Sequence, residues 1–273
     1  MVMQKNLSTA MNAKIIVSEG KETLILAHGY GLDQSVWEKV LPNLVENYQV
    51  LVFDWSFSGA IKDPNLFDSG KYTSYDAFAD DLITIMDEMN LSSTIYVGHS
   101  MSGMIGCIAS IKRPELFKKL VLVSASPRFK NSEDYEGGFE ESDIEQLISN
   151  IEHNYEIWST SFPTAVVDAN DPPSIQMFEG CLKRMRPKVA LDVAKVVFLS
   201  DERSILEKVV TPCTIIQTKK DLAVPNCVPK YMQSKINAES SIEIIDTEGH
   251  FPQLTAHVQF LDVLDKAINH QPI

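Results

Sequence analysis

Short apolar segments rich in β-branched residues recur along this 273-residue chain and predict the strands of a sheet. Most of them are apolar on both faces, which is typical of parallel strands buried between two layers of helices. These segments cover residues 23–27, 50–53, 94–97, 120–123, 214–216 and 242–245. Residues 76–90 and 104–113 carry apolar side chains at helical spacing between them. The alternation predicts an α/β fold with a mostly parallel sheet and helices on both faces.

The alternation of strands and helices lapses between residues 126 and 200, where the chain is helix-rich without clear strands. Three helical patterns divide this stretch, at residues 140–157, 174–185 and 189–199. The strand pattern resumes at Cys213. A helical insertion between two strands is expected to cover the carboxyl edge of the sheet, where open α/β sheets bind ligands. We therefore predict a single domain over residues 1–273, with a helical cap inserted at about residues 127–200.

The strongest chemical signal is a serine between an apolar strand and a helix. Residues 96–103 read Tyr-Val-Gly-His-Ser-Met-Ser-Gly, a G-x-S-x-S pattern in which Ser102 replaces the second glycine of G-x-S-x-G. A serine on such a tight turn, a nucleophile elbow, projects its hydroxyl from the sheet edge. Small residues are expected around Ser100 because larger side chains would collide with the neighbouring strand and helix. Since such turns are also common without chemistry, the motif alone leaves catalysis open.

An aspartate and a histidine follow in the chain order that a serine nucleophile requires. Asp221 comes directly after the strand at 214–216, and His250 comes after the last predicted strand. Either residue alone is usually an ordinary turn residue, but both are expected at the same sheet edge as Ser100. We predict a triad in which His250 removes the serine proton and Asp221 orients and stabilises the imidazole.

A His-Gly turn after the first buried strand supplies the remaining part of a serine-hydrolase site. Residues 26–31 read Leu-Ala-His-Gly-Tyr-Gly. The backbone N–H groups of Tyr30 and Met101 are the predicted oxyanion donors, and His28 is interpreted as a residue that fixes the turn. Haloalkane dehalogenases and epoxide hydrolases use aspartate as the nucleophile, so a serine favours hydrolysis of an ester, a lactone or a related acyl group.

Composition excludes several other classes of function. The formal net charge of −13 disfavours binding to nucleic acid or to an anionic membrane, although an acidic face for a protein partner stays open. The four cysteines are far apart and predict free thiols, with no metal site. No window approaches a membrane span, and residues 1–14 lack the apolar core of a secretory signal. We expect a monomer in the cytoplasm and nucleus, without a metal or other cofactor.

Taken together, the residues above resemble the plant strigolactone and karrikin receptor hydrolases, which have the α/β-hydrolase fold. The resemblance extends from about Met11 through the cap. It rests on residues 29–37, 98–106, 113–117, 124–129, 134–139, 221–225 and 249–254. Two departures point to a third, less characterised branch of the family. Residues 54–61, Asp-Trp-Ser-Phe-Ser-Gly-Ala-Ile, replace a glycine-rich turn, and Tyr30 replaces the usual phenylalanine.

The resemblance implies a V-shaped cap of four helices over a deep apolar pocket, and slow hydrolysis of butenolide ligands at the serine. It also implies a hormone-dependent signalling complex with an F-box leucine-rich-repeat protein and a repressor protein. The implied pocket wall consists of Tyr30, Phe129, Trp158, Phe162, Phe178, Phe198 and Leu222. From the residues alone, aromatic side chains in amphipathic helices are more often core than ligand wall.

Three hypotheses follow. The first is a receptor-like serine hydrolase for a small butenolide or related apolar ester, with an intact triad and the family's cap. The second is a metabolic carboxylesterase that has the same triad and no signalling partner. The third is a ligand-binding module that keeps the triad but turns over negligibly. A pull-down with the F-box protein separates the first from the second, and ester turnover separates both from the third.

Overall fold

The computed structural model describes residues 6–16 and 21–269. Seven strands in these ranges form one sheet in the order β1-β3-β2-β4-β5-β6-β7. The strands are β1 (Lys14–Ile16), β2 (Thr23–Ala27), β3 (Gln49–Val52), β4 (Thr94–His99), β5 (Phe117–Val123), β6 (Cys213–Lys220) and β7 (Ser240–Glu248). Only β1 pairs antiparallel, and the other six are parallel. The mostly parallel sheet is confirmed. The pattern missed β1 because a three-residue edge strand is too short to show a period.

Helices cover both faces of the sheet and its carboxyl edge. They are α1 (Leu7–Ala10), α2 (Leu41–Asn47), α3 (Tyr75–Glu88), α4 (Met101–Lys112), α5 (Glu141–His153), α6 (Tyr155–Val166), α7 (Pro172–Arg184), α8 (Pro187–Leu199), α9 (Cys227–Lys235), α10 (Pro252–Thr255) and α11 (His257–Asn269). Short 3₁₀ turns at Gln34–Trp37, Pro114–Leu116 and Arg203–Lys208 complete the set. No helix in the described ranges is long and apolar enough to cross a membrane.

The cap consists of α5 to α8 and lies between β5 and β6 in the chain, as predicted. The prediction of one helix over residues 140–157 is wrong, because the chain turns at Asn154. This residue has φ −137° and ψ 41°, outside the helical region, and separates α5 from α6. Helix α5 packs on α8 and α6 packs on α7, so the turn lets two helix pairs form where one long helix would leave its far end unsupported.

A continuous apolar core joins the sheet to the inner faces of the cap helices. Strands β2 to β5 are buried along most of their length, which explains why their sequences are apolar on both faces. Three of the four cysteines are buried, and all four are free thiols. The first five residues of the N-terminal segment, for which we expected no secretory signal, lie outside the described ranges.

Candidate active site

Ser100 sits between β4 and α4 in a strained backbone conformation. Its φ of 57° and ψ of −123° lie in a region that few residues other than glycine adopt. The Ser100 N–H donates a 2.8 Å hydrogen bond to the carbonyl of Val123, the last residue of β5. The neighbouring strand therefore holds the turn, and the side chain reaches the carboxyl edge of the sheet as a nucleophile elbow requires.

The glycines of the elbow leave no room for a side chain. A Cβ on Gly98 would lie 2.5 Å from the carbonyl oxygen of Ser102, and one on Gly103 would lie 2.5 Å from the Cβ of Ala125. Both distances are well below van der Waals contact. The steric reason that the sequence suggests for small residues around Ser100 therefore applies at these two positions.

His250 and Asp221 form a close, buried pair at the ends of β7 and β6. The His250 Nδ1 lies 2.7 Å from Asp221 Oδ2, and the Asp221 side chain is fully buried. The other carboxylate oxygen accepts hydrogen bonds from the backbone N–H groups of Ala223 (2.8 Å) and Val224 (3.2 Å). Gln217 Nε2 donates to Oδ2 at 3.1 Å. With the carboxylate as its acceptor, Nδ1 carries the proton, so Nε2 keeps its lone pair.

The backbone of His250 is held from two sides. Its N–H donates to the carbonyl of Val166 at the end of α6 (2.8 Å), and its carbonyl accepts from His99 Nε2 (2.9 Å). Burial holds the pKa of His99 well below its usual range; electrostatic repulsion from His250 acts in the same direction, and the hydrogen bond to the His250 carbonyl opposes it. His99 is therefore a neutral, buried residue that joins the elbow to the histidine loop.

The turn after β2 lies against the elbow because β2 and β4 are paired neighbours. A Cβ on Gly29 would lie 3.1 Å from the Cβ of Ser100. The backbone N–H groups of Tyr30 and Met101 have no acceptor within the described residues. Met101 begins α4, so its N–H lies at the positive end of the helix dipole. Both amides are candidate donors to an anionic oxygen.

An apolar cavity lies between the cap and the sheet edge, and Ser100 and His250 both line it. Five residues that the resemblance places in the pocket wall line it as well: Tyr30, Phe129, Phe162, Phe178 and Phe198. Five further lining residues were not singled out from the sequence: Phe139, Val166, Val197, Ala223 and Phe251. Phe139 and Phe251 lie in segments that carry the resemblance, and this was the sequence signal that could have placed them in the wall. The two valines depend on the packing of α6 and α8.

Two residues of the expected wall lie elsewhere. Leu222 is 74% exposed, because the loop after β6 turns its side chain to solvent and turns that of Ala223 to the cavity. Trp158 is buried but stands behind the wall, with its ring stacked on Phe162 at a centroid distance of 5.0 Å. It also contacts Tyr30, at 6.3 Å between ring centroids. Trp158 therefore supports two lining residues without lining the cavity itself.

Tyr30 uses its hydroxyl to hold the cap. The hydroxyl donates a 2.9 Å hydrogen bond to the carbonyl of Ala190 in α8. Burial raises the pKa of Tyr30 well above its ordinary value, so the phenol stays protonated and remains a donor. The Tyr30 hydroxyl at the cavity floor thus donates its proton to a protein carbonyl and not to a ligand. Within the described residues, no cluster of three or more His, Cys, Asp or Glu side chains could hold a metal ion.

The parallel sheet, the strained serine turn and the paired histidine and aspartate define an α/β hydrolase. Residues 22–155 match the family model described as alpha/beta hydrolase fold. A solved hydrolase from Oleispira antarctica superposes with a TM-score of 0.92 and 33% identity, over 97% of each chain.

Comparison with curated proteins identifies the family more closely. The chain is 44% identical to a strigolactone esterase of Arabidopsis thaliana, over 97% of this chain and 98% of that protein. It is 45% identical to the karrikin insensitive 2 receptor CA of Petunia hybrida, over 96% of each. The chain belongs to this family of receptor-like hydrolases, and the resemblance found in the sequence is confirmed. Its nearly equal identity to these two relatives places it no nearer to one than to the other.

Proposed function

We propose that this protein is a serine esterase that binds a small apolar butenolide or related ester and hydrolyses it slowly. The observation that carries the proposal is the 2.7 Å hydrogen bond between His250 and Asp221, beside Ser100, at one apolar cavity. Ser100 is the nucleophile, His250 the general base and Asp221 the residue that orients the histidine. The names of the relatives, an esterase and a karrikin receptor, support the same chemistry and the same class of ligand.

The reaction begins when Ser100 Oγ attacks the acyl carbon and His250 Nε2 takes the hydroxyl proton. Asp221 stabilises the imidazolium that forms. The carbonyl oxygen becomes negative and is bound by the N–H groups of Tyr30 and Met101. His250 then returns its proton to the leaving alcohol or enol, which departs from the acyl-enzyme. A water molecule, activated by the same histidine, attacks the acyl group and releases the acid.

The lining of the cavity supports an apolar ligand. Aromatic and aliphatic side chains form most of its wall, and its polar groups are concentrated around the nucleophile. A compact lactone or ester would bury its apolar surface here and present its carbonyl to Ser100.

Signalling forms the second part of the proposal. As in the family, the ligand-bound protein, a monomer of the cytoplasm and nucleus, joins an F-box leucine-rich-repeat protein and a repressor protein. A pull-down of the F-box protein with purified protein, with and without ligand, tests this part. Ligand-dependent capture supports the receptor function, and full ester turnover without capture would instead assign a metabolic carboxylesterase.

The chemistry is tested with a fluorogenic butenolide ester and intact-mass detection of a covalent adduct. We expect turnover or an adduct in the parent protein and neither in Ser100→Ala, whose rate should fall by about four orders of magnitude or more. Hydrolysis of a simple short-chain ester without any butenolide adduct would support the catalytic triad and contradict the proposed ligand class. A parent with no turnover of either ester would reject the esterase proposal.

A further inference from the structure

The side chain of Trp55, in the segment that departs from the family pattern, lies beneath the oxyanion turn. Its indole Nε1–H lies 2.9 Å from the carbonyl oxygen of His28 and 2.9 Å from Ser102 Oγ. The Ser102 hydroxyl itself donates to the same His28 carbonyl at 2.5 Å. All three residues are fully buried. One carbonyl of the turn is thus held by a donor from the loop after β3 and by a donor from the first turn of α4.

The imidazole of His28 holds the next peptide of the turn. The backbone N–H of Trp55 donates to His28 Nε2 at 3.0 Å, so this nitrogen carries no proton. The proton is on Nδ1, which lies 2.9 Å from the carbonyl oxygen of Gly29. In a trans peptide the C=O of Gly29 and the N–H of Tyr30 point in opposite directions. Fixing the Gly29 carbonyl therefore fixes the direction of the Tyr30 N–H, which is the proposed oxyanion donor.

We propose that the Trp55 side chain is a positioning residue for the oxyanion hole. With Ser102 it holds the carbonyl of His28, and so fixes the His28–Gly29 peptide from which the Gly29–Tyr30 peptide follows. The inference rests on the proposed esterase function, because it concerns the donor that binds the oxyanion. The buried hydroxyl of Ser102 is satisfied because it donates to His28 and accepts from Trp55.

Substitutions at and around Trp55 can separate the effect of its hydrogen bonds from the effect of its packing. Its ring packs edge-on against Phe53, with 4.8 Å between ring centroids, and edge-on against Phe78, with 5.7 Å between ring centroids. Trp55→Phe keeps an aromatic ring in this cluster and removes the N–H donor. Ser102→Ala removes the second donor and leaves a small residue in the turn. Phe78→Leu is the matched control, because it disturbs the packing against Trp55 without removing either donor.

The experiment measures kcat and KM for a short-chain p-nitrophenyl ester, the affinity for an alkyl boronic acid as a transition-state analogue, and the melting temperature. Removing an oxyanion donor outright lowers kcat by about 100- to 1,000-fold. For a misplaced donor we expect a loss of about 10- to 100-fold in Trp55→Phe and in Ser102→Ala. KM should stay constant and boronate affinity should fall in parallel with kcat, because the hole binds the transition state and not the ground state.

The kcat of the double variant should fall by less than the product of the two single fold-losses, because both donors act on one carbonyl. Phe78→Leu should lower the melting temperature and leave kcat and boronate affinity unchanged. Parent-like kcat and boronate affinity in Trp55→Phe would overturn the inference, as would equal losses in Phe78→Leu. No turnover in the parent itself would overturn the proposed function, an outcome distinct from normal turnover in the Trp55 variant.

Discussion

The sheet edge and the cap form the two halves of the cavity, and they are held in different ways. At the edge the backbone sets the geometry: Ser100 has a positive φ, and Gly98 and Gly103 have no space for a Cβ. The cap is joined to the edge by side chains, through the shared apolar core and through hydrogen bonds such as that from Tyr30 to Ala190. The edge therefore fixes the chemistry, whereas the cap fixes the size and access of the cavity.

Two ion pairs anchor the ends of α7 to the rest of the protein. Lys39 contacts Asp171 at its beginning, with 3.2 Å between Nζ and Oδ2, and Arg184 contacts Asp33 at its end, with 2.5 Å between Nη2 and Oδ2. Both cations are partly exposed, whereas the Asp33 carboxylate is buried. These pairs add to the apolar core that joins the cap to the sheet.

The largest effect is expected for Asp221→Asn, which keeps the shape of the side chain. Both oxygens of Asp221 face donors, so the new NH₂ group meets either the backbone N–H groups of the turn or the His250 Nδ1–H. Facing His250, it would favour the wrong tautomer. We expect kcat to fall by about 10⁴-fold, or about 5 kcal/mol in the barrier, in a steady-state ester assay.

Asp246→Asn is the matched control for that change. Asp246 is exposed near the end of β7 and pairs with Lys219 on the surface, 3.0 Å between Nζ and Oδ1. Its kcat should equal that of the parent. A similar loss in both variants would point to a general effect of charge and not to the tautomer of His250.

The second prediction compares a glycine of the edge with one of the cap. Gly103→Ala brings a Cβ to 2.5 Å from that of Ala125, and overpacking of this kind costs about 1–3 kcal/mol of unfolding free energy. At Gly180, within α7, the nearest atom to a new Cβ is the Arg184 Nη1 at 3.5 Å. Gly180→Ala should therefore stabilise the protein by up to about 1 kcal/mol.

Urea unfolding measures both changes in one assay. Gly103→Ala should lower the free energy of unfolding, and Gly180→Ala should raise it. Destabilisation of the same size at both positions would contradict the view that steric constraint is concentrated at the edge.

The same division explains what the sequence could predict. The strands other than the short edge strand β1, the elbow and the loops of Asp221 and His250 depend on local patterns of apolar residues and turns, and these were found. The break at Asn154 was not, because one non-helical residue leaves the apolar spacing of its neighbours almost unchanged. Nor could the sequence assign Leu222 to solvent and Ala223 to the cavity, since that choice depends on how one loop packs against the cap.

The third prediction concerns pH and two of the buried histidines of the edge, His28 and His99. Burial lowers the pKa of His28, although Asp54, Gly29 and Asp33 oppose the shift. Burial also lowers the pKa of His99, where electrostatic repulsion from His250 adds to the shift and the hydrogen bond to the His250 carbonyl opposes it. A lowered pKa means that the unfolded state binds more protons as pH falls below about 6.5. Unfolding free energy should therefore fall below pH 6.5, by at most about 1.4 kcal/mol per pH unit for each histidine.

Urea unfolding between pH 7.5 and pH 5 measures this slope. The variant His99→Gln keeps a side-chain amide that can donate to the His250 carbonyl and removes one titrating group. Its unfolding free energy should fall less steeply with decreasing pH than that of the parent. The difference should be at most about 1.4 kcal/mol per pH unit, which corresponds to one proton. Equal slopes in the two proteins would show that His99 contributes nothing to acid destabilisation.

The smallest effect is expected where the edge meets the cap. Tyr30→Phe removes the hydrogen bond to Ala190 and should cost about 1 kcal/mol of stability. Tyr155→Phe is the matched control, because its hydroxyl donates to the Leu182 carbonyl at 2.7 Å and so joins α6 to α7 within the cap. The two variants should melt at similar temperatures. Only Tyr30→Phe should speed backbone hydrogen exchange in residues 187–199, measured by mass spectrometry, because it alone releases α8 from the edge. Equal exchange in both variants would mean that α8 is held by packing and that the Tyr30 hydroxyl does not control the cap.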